Sequence, residues 1–205
     1  MKRNYKFIIP IILLAGILLS FKFKYQPDPI KDQQLVKVLR YVLTHGHFQP
    51  ADINDEFSEG VYTSFLEILD PTKHYFLQTD IDEFSQYKHQ IDDQVLTDSL
   101  TFFYTVYDRY LQRVKESEGY YTELLNNSFD TNKEETYSVD YENTPYPKTK
   151  EELITIWHKQ LKMRYLGHLY NKELVESDNV EEDSTYIKKS IEVLKEEALE
   201  KTKAN

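Results

Sequence analysis

The feature that most constrains this chain is a long apolar period between residues 98 and 126. Leu100, Phe103, Tyr107, Tyr110, Val114, Tyr121 and Leu125 recur in steps of three and four, with one longer gap. That spacing keeps side chains on one stripe of an α-helix and scatters them across both faces of a strand. Asp98 reads as its cap and Asn126-Asn127-Ser128 as its stop. A helix this long needs other helices to cover its stripe, and the sequence offers them. The chain holds only 5 Gly and 7 Pro in 205 residues, which leaves little for the tight turns of an all-β fold.

Five or six amphipathic helices are expected, and the fold class is all-α, a single irregular multi-helix domain. The first spans about 31–45 with Leu35, Val38, Leu39 and Val42 on one face, ending at Gly46. The second spans about 54–69 with Phe57, Val61, Phe65 and Ile68 aligned, and Pro71 blocks its continuation. The third spans about 80–95. Thr79 caps it, Asp80, Asp82 and Glu83 fill its first turn, and Ile81, Phe84, Ile91 and Val95 form its stripe.

After the long fourth helix, residues 128–149 form an ordered loop, with the β-prone Thr136-Tyr137-Ser138-Val139 as a candidate short strand. The fifth helix spans about 149–170 and carries Leu153, Ile156, Trp157, Leu161 and Tyr165. Residues 176–183 read as an acidic linker. The last helix starts near Ser184 with Ile187, Ile191 and Leu194. It stays amphipathic to Leu199 and ends abruptly at Lys203-Ala204-Asn205, which suggests a truncated domain; a frayed natural end would look the same.

The N-terminus differs from the rest. Lys2, Arg3 and Lys6 precede an uncharged run from Phe7 to Phe21, the layout of an export signal. The run is shorter than the roughly 20 residues a spanning helix needs, which favours a cleaved signal. Against cleavage, Leu18 spoils the small-x-small site before Ser20, and Lys22 and Lys24 suit a short uncleaved anchor. A buried core helix is the third reading. Residues 1–25 are therefore an export signal or membrane anchor, residues 26–30 a stiff Pro-containing linker, and residues 31–205 the helical domain. Either export reading places that domain in the periplasm or cell envelope, with membrane contact only through residues 7–21.

Composition removes several functions. With no Cys there is no thiol nucleophile, no Cys-ligated metal and no disulfide. Beyond residue 25 the chain carries 20 basic and 35 acidic side chains, which disfavours nucleic acid as a partner. The 17 Tyr and 11 Phe against 2 Met imply a core with many hydroxyls at its margins. Tyr104, Tyr107, Tyr110, Tyr120 and Tyr121 read first as core and second as a contact surface.

His45-Gly46-His47 lacks further ligands at metal-binding spacing and reads as a helix C-terminus. Asp80, Asp82, Glu83, Asp92 and Asp93 are read as dipole-matching or solvated acids rather than an acid–base pair. No GxSxG elbow or phosphate-binding glycine loop occurs. No catalytic, cofactor-binding or metal residue is assigned, and no cofactor is expected.

Four ordered blocks carry a family resemblance: VLRYVLTHGHFQP (38–50), FLEILDPTKHYFLQTDIDEF (65–84), FFYTVYDRYLQRV (102–114) and TYSVDYENTPYPKTKEELITIWHKQLK (136–162). Together they resemble the N-terminal helical domain of the bacterial tail-specific, or carboxyl-terminal processing, serine proteases over roughly 30–200. The resemblance implies a non-catalytic scaffold and substrate-access region of an envelope endopeptidase. It also implies a PDZ domain and a protease core, with its serine and lysine pair, beyond this chain. The partners it implies are those missing domains, protein substrates and, in some members, a helical-repeat lipoprotein adaptor. A free-standing envelope interaction module is the alternative. In either case the aromatic loop at 74–76 is the expected packing surface for a neighbouring domain.

Overall fold

The structure is a computed structural model and describes residues 28–46 and 52–204. The expected signal or anchor and His47 lie outside the described residues. Seven α-helices are present among the described residues: α1 (Pro29–Tyr41), α2 (Asp55–Leu69), α3 (Gln78–Phe84), α4 (Ile91–Leu96), α5 (Thr101–Leu125), α6 (Lys150–Glu182) and α7 (Ile191–Ala204). A π-turn, Val42–Gly46, extends α1, and a 3-10 turn, Ser85–Tyr87, extends α3. No strand occurs among the described residues, and Thr136–Val139 is irregular backbone. The fold is all-α, as the periodicity requires.

Two cores result. In the first, Tyr62 and Leu66 of α2 meet Phe76, Phe84, Ile91, and Phe102 and Val106 of α5. In the second, Leu161, Tyr165 and Leu169 of α6 meet Leu194 and Ala198 of α7, with Phe129 from the loop. Full burial of such side chains contributes about 1.5–3 kcal/mol each, enough to order short helices that would not form alone.

Several boundaries depart from the sequence expectation, each for a physical reason. The expected third helix is two helices. Ser58 of α2 accepts a hydrogen bond from the Asp92 amide at 2.8 Å and donates to the Asp92 carboxylate at 2.7 Å. A residue distant in sequence thus caps the start of α4. Asp98 does not cap α5; it sits at φ 57 and pairs with Lys37 and Arg40. The Gln94 side chain instead accepts from the Phe102 amide at 2.8 Å, the role a local cap would play. Helix α1 starts at Pro29, inside the expected linker, with Asp28 accepting from the Lys31 amide.

The acidic linker at 176–183 is not a linker. Helix α6 runs through it to Glu182, and Glu176 is 4% exposed. Its carboxylate accepts from the Tyr186 hydroxyl, at 3.0 Å to each oxygen, and from the Lys189 amide at 2.9 Å. Residues 184–190, expected to open the last helix, are the strap that this carboxylate holds, and Ile187 is 89% exposed.

Helix faces also shift. On α2 the buried positions are Ser58, Tyr62 and Leu66, while Ile68 of the expected stripe is exposed. On α5 they are Phe102, Val106, Ser117 and Tyr120. On α1 only Val36 is buried, and Leu35, Val38, Leu39 and Val42 all face outward.

Candidate functional site: the aromatic corner and its groove

Helix α2 ends at Asp70, and the chain turns through Pro71–Leu77 into α3. Asp70 is 1% exposed and organises that turn. One oxygen accepts from the His74 amide at 2.7 Å; the other accepts from the Tyr75 and Phe76 amides at 3.0 and 2.9 Å. Three donors that would otherwise be orphaned in a buried turn are thereby satisfied. Burial pushes the Asp70 carboxyl above its ordinary range, and these amides and His74 act against that shift.

The turn places His74 and Phe76 inside the domain, not at an outer surface as the sequence suggested. The Trp157 indole of α6 donates to the His74 carbonyl at 2.9 Å, and the two rings meet edge-on at 5.6 Å. Tyr75 stands edge-on to Trp157 and to Tyr110 of α5. The His74 Nε2 pairs with the Tyr137 hydroxyl at 3.0 Å, and Tyr137 contacts the Tyr141 hydroxyl at 3.3 Å. Nδ1 is buried without a hydrogen bond among the described residues. Desolvation lowers the His74 pKa, opposed by Asp70 and the Thr72 carbonyl; burial also raises that of Tyr137. The ring is therefore neutral at ordinary pH.

One backbone bond and one lysine side chain bind the corner to the connector before α6. The Gln78 amide donates to the Pro147 carbonyl at 2.8 Å, and the Lys73 ammonium donates to the Glu142 and Thr144 carbonyls. Lys73 itself adopts φ 54, a conformation uncommon for a side-chain-bearing residue.

A charge clamp closes the far side of the corner. Asp80 is fully buried, and Arg113 grips it with two parallel bonds of 2.8 and 2.9 Å. Arg109 adds a third contact and also reaches Glu83 at 2.8 Å; the Leu77 amide supplies a fourth donor at 2.9 Å. Arg113 continues to Glu116 at 2.8 Å. Burial alone would raise the Asp80 pKa, but Arg113, the Leu77 amide and Arg109 outweigh it and hold the carboxyl below its ordinary range. Asp80 does lie in a helix first turn as expected; its main partners, two arginines from α5, were not legible. Asp92 is bound by Ser58 and half-buried, whereas Asp93 is exposed. His45 is exposed at the end of the π-turn, with its Nδ1 on the Thr44 hydroxyl at 2.6 Å.

Alongside the corner runs a groove of about 1030 Å³, walled by Lys133, Glu135 and Tyr137 of the loop and by Lys159, Met163 and Leu166 of α6. A smaller cavity of about 280 Å³ lies against His74, Tyr141 and Lys159. Lys162, almost fully buried, anchors the loop by donating to Glu135 and to the Lys133 carbonyl, each at 2.7 Å. Its ammonium and that of Lys133 hold the Glu135 pKa down to about 2. No group of three or more His, Asp or Glu side chains arranged to hold a metal ion occurs among the described residues. The chemistry on view is bracing: hydrogen-bonded rings and clamped charges beside an open groove.

Three of the four blocks that carry the resemblance interlock: 65–84 meets 102–114 through Asp80 and the arginines, and 136–162 through Trp157, Pro147 and Tyr137. Residues 39–205 match the family model of the tail specific protease N-terminal domain. The chain belongs to that family. A tail-specific protease of Haemophilus influenzae is 30% identical to it over 121 residues. That match covers 58% of this chain and 17% of the Haemophilus protein, so this tail-specific protease domain spans a minor part of the relative's length. In this tail-specific protease domain the corner supplies Phe76 to the first core.

Proposed function

We propose that this chain is the non-catalytic N-terminal scaffold and substrate-access region of an envelope carboxyl-terminal processing serine endopeptidase. The PDZ and protease domains, with the serine and lysine that cut the peptide bond, belong to the sequence beyond residue 205 in this reading. The observation that carries it is the family match over residues 39–205. The interlocked corner supports it, because a frame that positions other domains must resist deformation, and buried bidentate ion pairs and satisfied turns are rigid. Protein substrates and the missing domains are the partners of this role, with a helical-repeat lipoprotein adaptor as in some members of the family, and the apolar run at 7–21 fits export to the periplasm.

The test has two parts. Sequencing the reading frame past Asn205 is expected to reveal a PDZ-like region followed by a protease core; a frame without them refutes the parent enzyme. A fluorogenic peptide assay on this chain is expected to give no turnover. Turnover that disappears on replacing one of its own serines refutes the non-catalytic role.

A further inference from the structure

Helix α1 is mounted the wrong way round for a soluble domain. Three of its charged side chains, Asp32, Lys37 and Arg40, reach back to the protein. Asp32 accepts from the Tyr104 hydroxyl of α5 at 2.5 Å. Arg40 donates to the Val95 and Leu96 carbonyls at the end of α4 and, with Lys37, pairs with Asp98. Val36 is the one buried apolar residue of this helix. The opposite face presents Leu35, Val38, Leu39 and Val42 at 58, 62, 54 and 45% exposure. Their spacing makes one stripe, and Lys31 lies in line with it one turn before Leu35. An amphipathic helix left to itself would turn this stripe inward. Here five polar contacts fix it outward.

We infer that the outward stripe of α1 rests on a lipid surface as an interfacial helix. Two further observations point to lipid as the occupant. The uncharged run Phe7–Phe21 ends eight residues before Pro29, a tether of at most about 28 Å, so α1 stays at any membrane that the run enters. Lys22, Lys24 and Lys31 surround that tether and match anionic headgroups, with Lys31 long enough to extend from the apolar stripe to the headgroup level. Leu35 and Val38 precede the family match, and Leu39 and Val42 lie within it. The inference goes beyond the scaffold role and does not depend on it.

The absence of cysteine makes the test direct. Full-length chain carrying Leu39→Cys, or Asp108→Cys on exposed α5 surface, is labelled with an environment-sensitive fluorophore and mixed with phosphatidylethanolamine–phosphatidylglycerol vesicles. The label at 39 is expected to shift to the blue and lose emission to nitroxides carried on the lipid chains, while the label at 108 does neither. Adding Leu35→Glu and Val42→Glu to the Leu39→Cys chain is expected to abolish both effects although residues 7–21 are intact. The inference is overturned if the chain leaves the vesicles untouched. It also falls if the label at 39 stays in water on vesicle-bound chain, or if both labels respond alike. A blue shift that needs no lipid and grows with protein concentration assigns the stripe to a second copy instead and equally overturns it.

Discussion

The Trp157 indole N–H reaches the His74 carbonyl at 2.9 Å, joining residues 83 positions apart in the chain. This bond fastens the longest helix to the turn that starts the first core. Trp157→Phe keeps an aromatic ring against His74 and Tyr75 but leaves the carbonyl without its donor. The expected loss is about 1–3 kcal/mol in urea unfolding, with the slope of the transition unchanged. A loss of that size appearing also in Tyr121→Phe, whose ring only neighbours the indole, would separate the effect from the hydrogen bond.

Asp80→Asn is expected to be the most costly single change at the clamp. It removes the buried charge and leaves Arg113 and Arg109 facing a neutral amide; breaking a buried pair this way costs about 3–5 kcal/mol. Arg113→Lys keeps the charge but cannot make the two parallel bonds, and a smaller loss is expected. Thermal unfolding of both variants ranks them, and equal losses would deny the bidentate geometry its role.

Acid should weaken the domain in two separate steps. His74 has a folded pKa below its ordinary value of about 6.5, so the unfolded chain binds its proton first. The stability this group contributes is full above about pH 6.5 and is lost as pH falls toward the folded value. The Asp80 pKa is also lowered, so its contribution is present above about 3.9 and disappears only as pH falls further. Replacing His74 with Gln is expected to flatten the first step and leave the second. Unfolding midpoints from about pH 2 to about pH 7, in about half-unit steps, check this.

Glu176→Ala should release the strap between α6 and α7. The Tyr186 hydroxyl and the Lys189 amide would lose their acceptor, while Leu194 and Ala198 stay packed. Hydrogen exchange is expected to speed up across 183–193 and stay slow in α5. Unchanged exchange over the strap would show that its order comes from elsewhere.

The sequence disclosed helix positions better than helix faces, and the particular residues say why. Periodicity located α5 and α6 because long stripes average over individual errors. On α2 the expected stripe is half right: Val61 and Phe65 pack against the core and Ile68 does not, while the deepest positions include Ser58 and Tyr62, which look less apolar, Ser58 being buried as the cap of another helix. No local rule could find that cap, nor Gln94 capping α5, because each depends on two elements already being packed. Acidic density at 176–183 suggested solvent, whereas Glu176 is buried by a strap that follows it. The clamp was half visible: Asp80 stood where an acid suits a helix start, but the arginines that hold it lie 29 and 33 residues later.

The reach from His74 to Trp157 also sets an order of events during synthesis. At roughly 5–20 residues per second, the indole leaves the ribosome on the order of ten seconds after the turn it secures. Through that interval the His74 carbonyl must wait for its donor, so the turn is complete only after the last of its partners has been made.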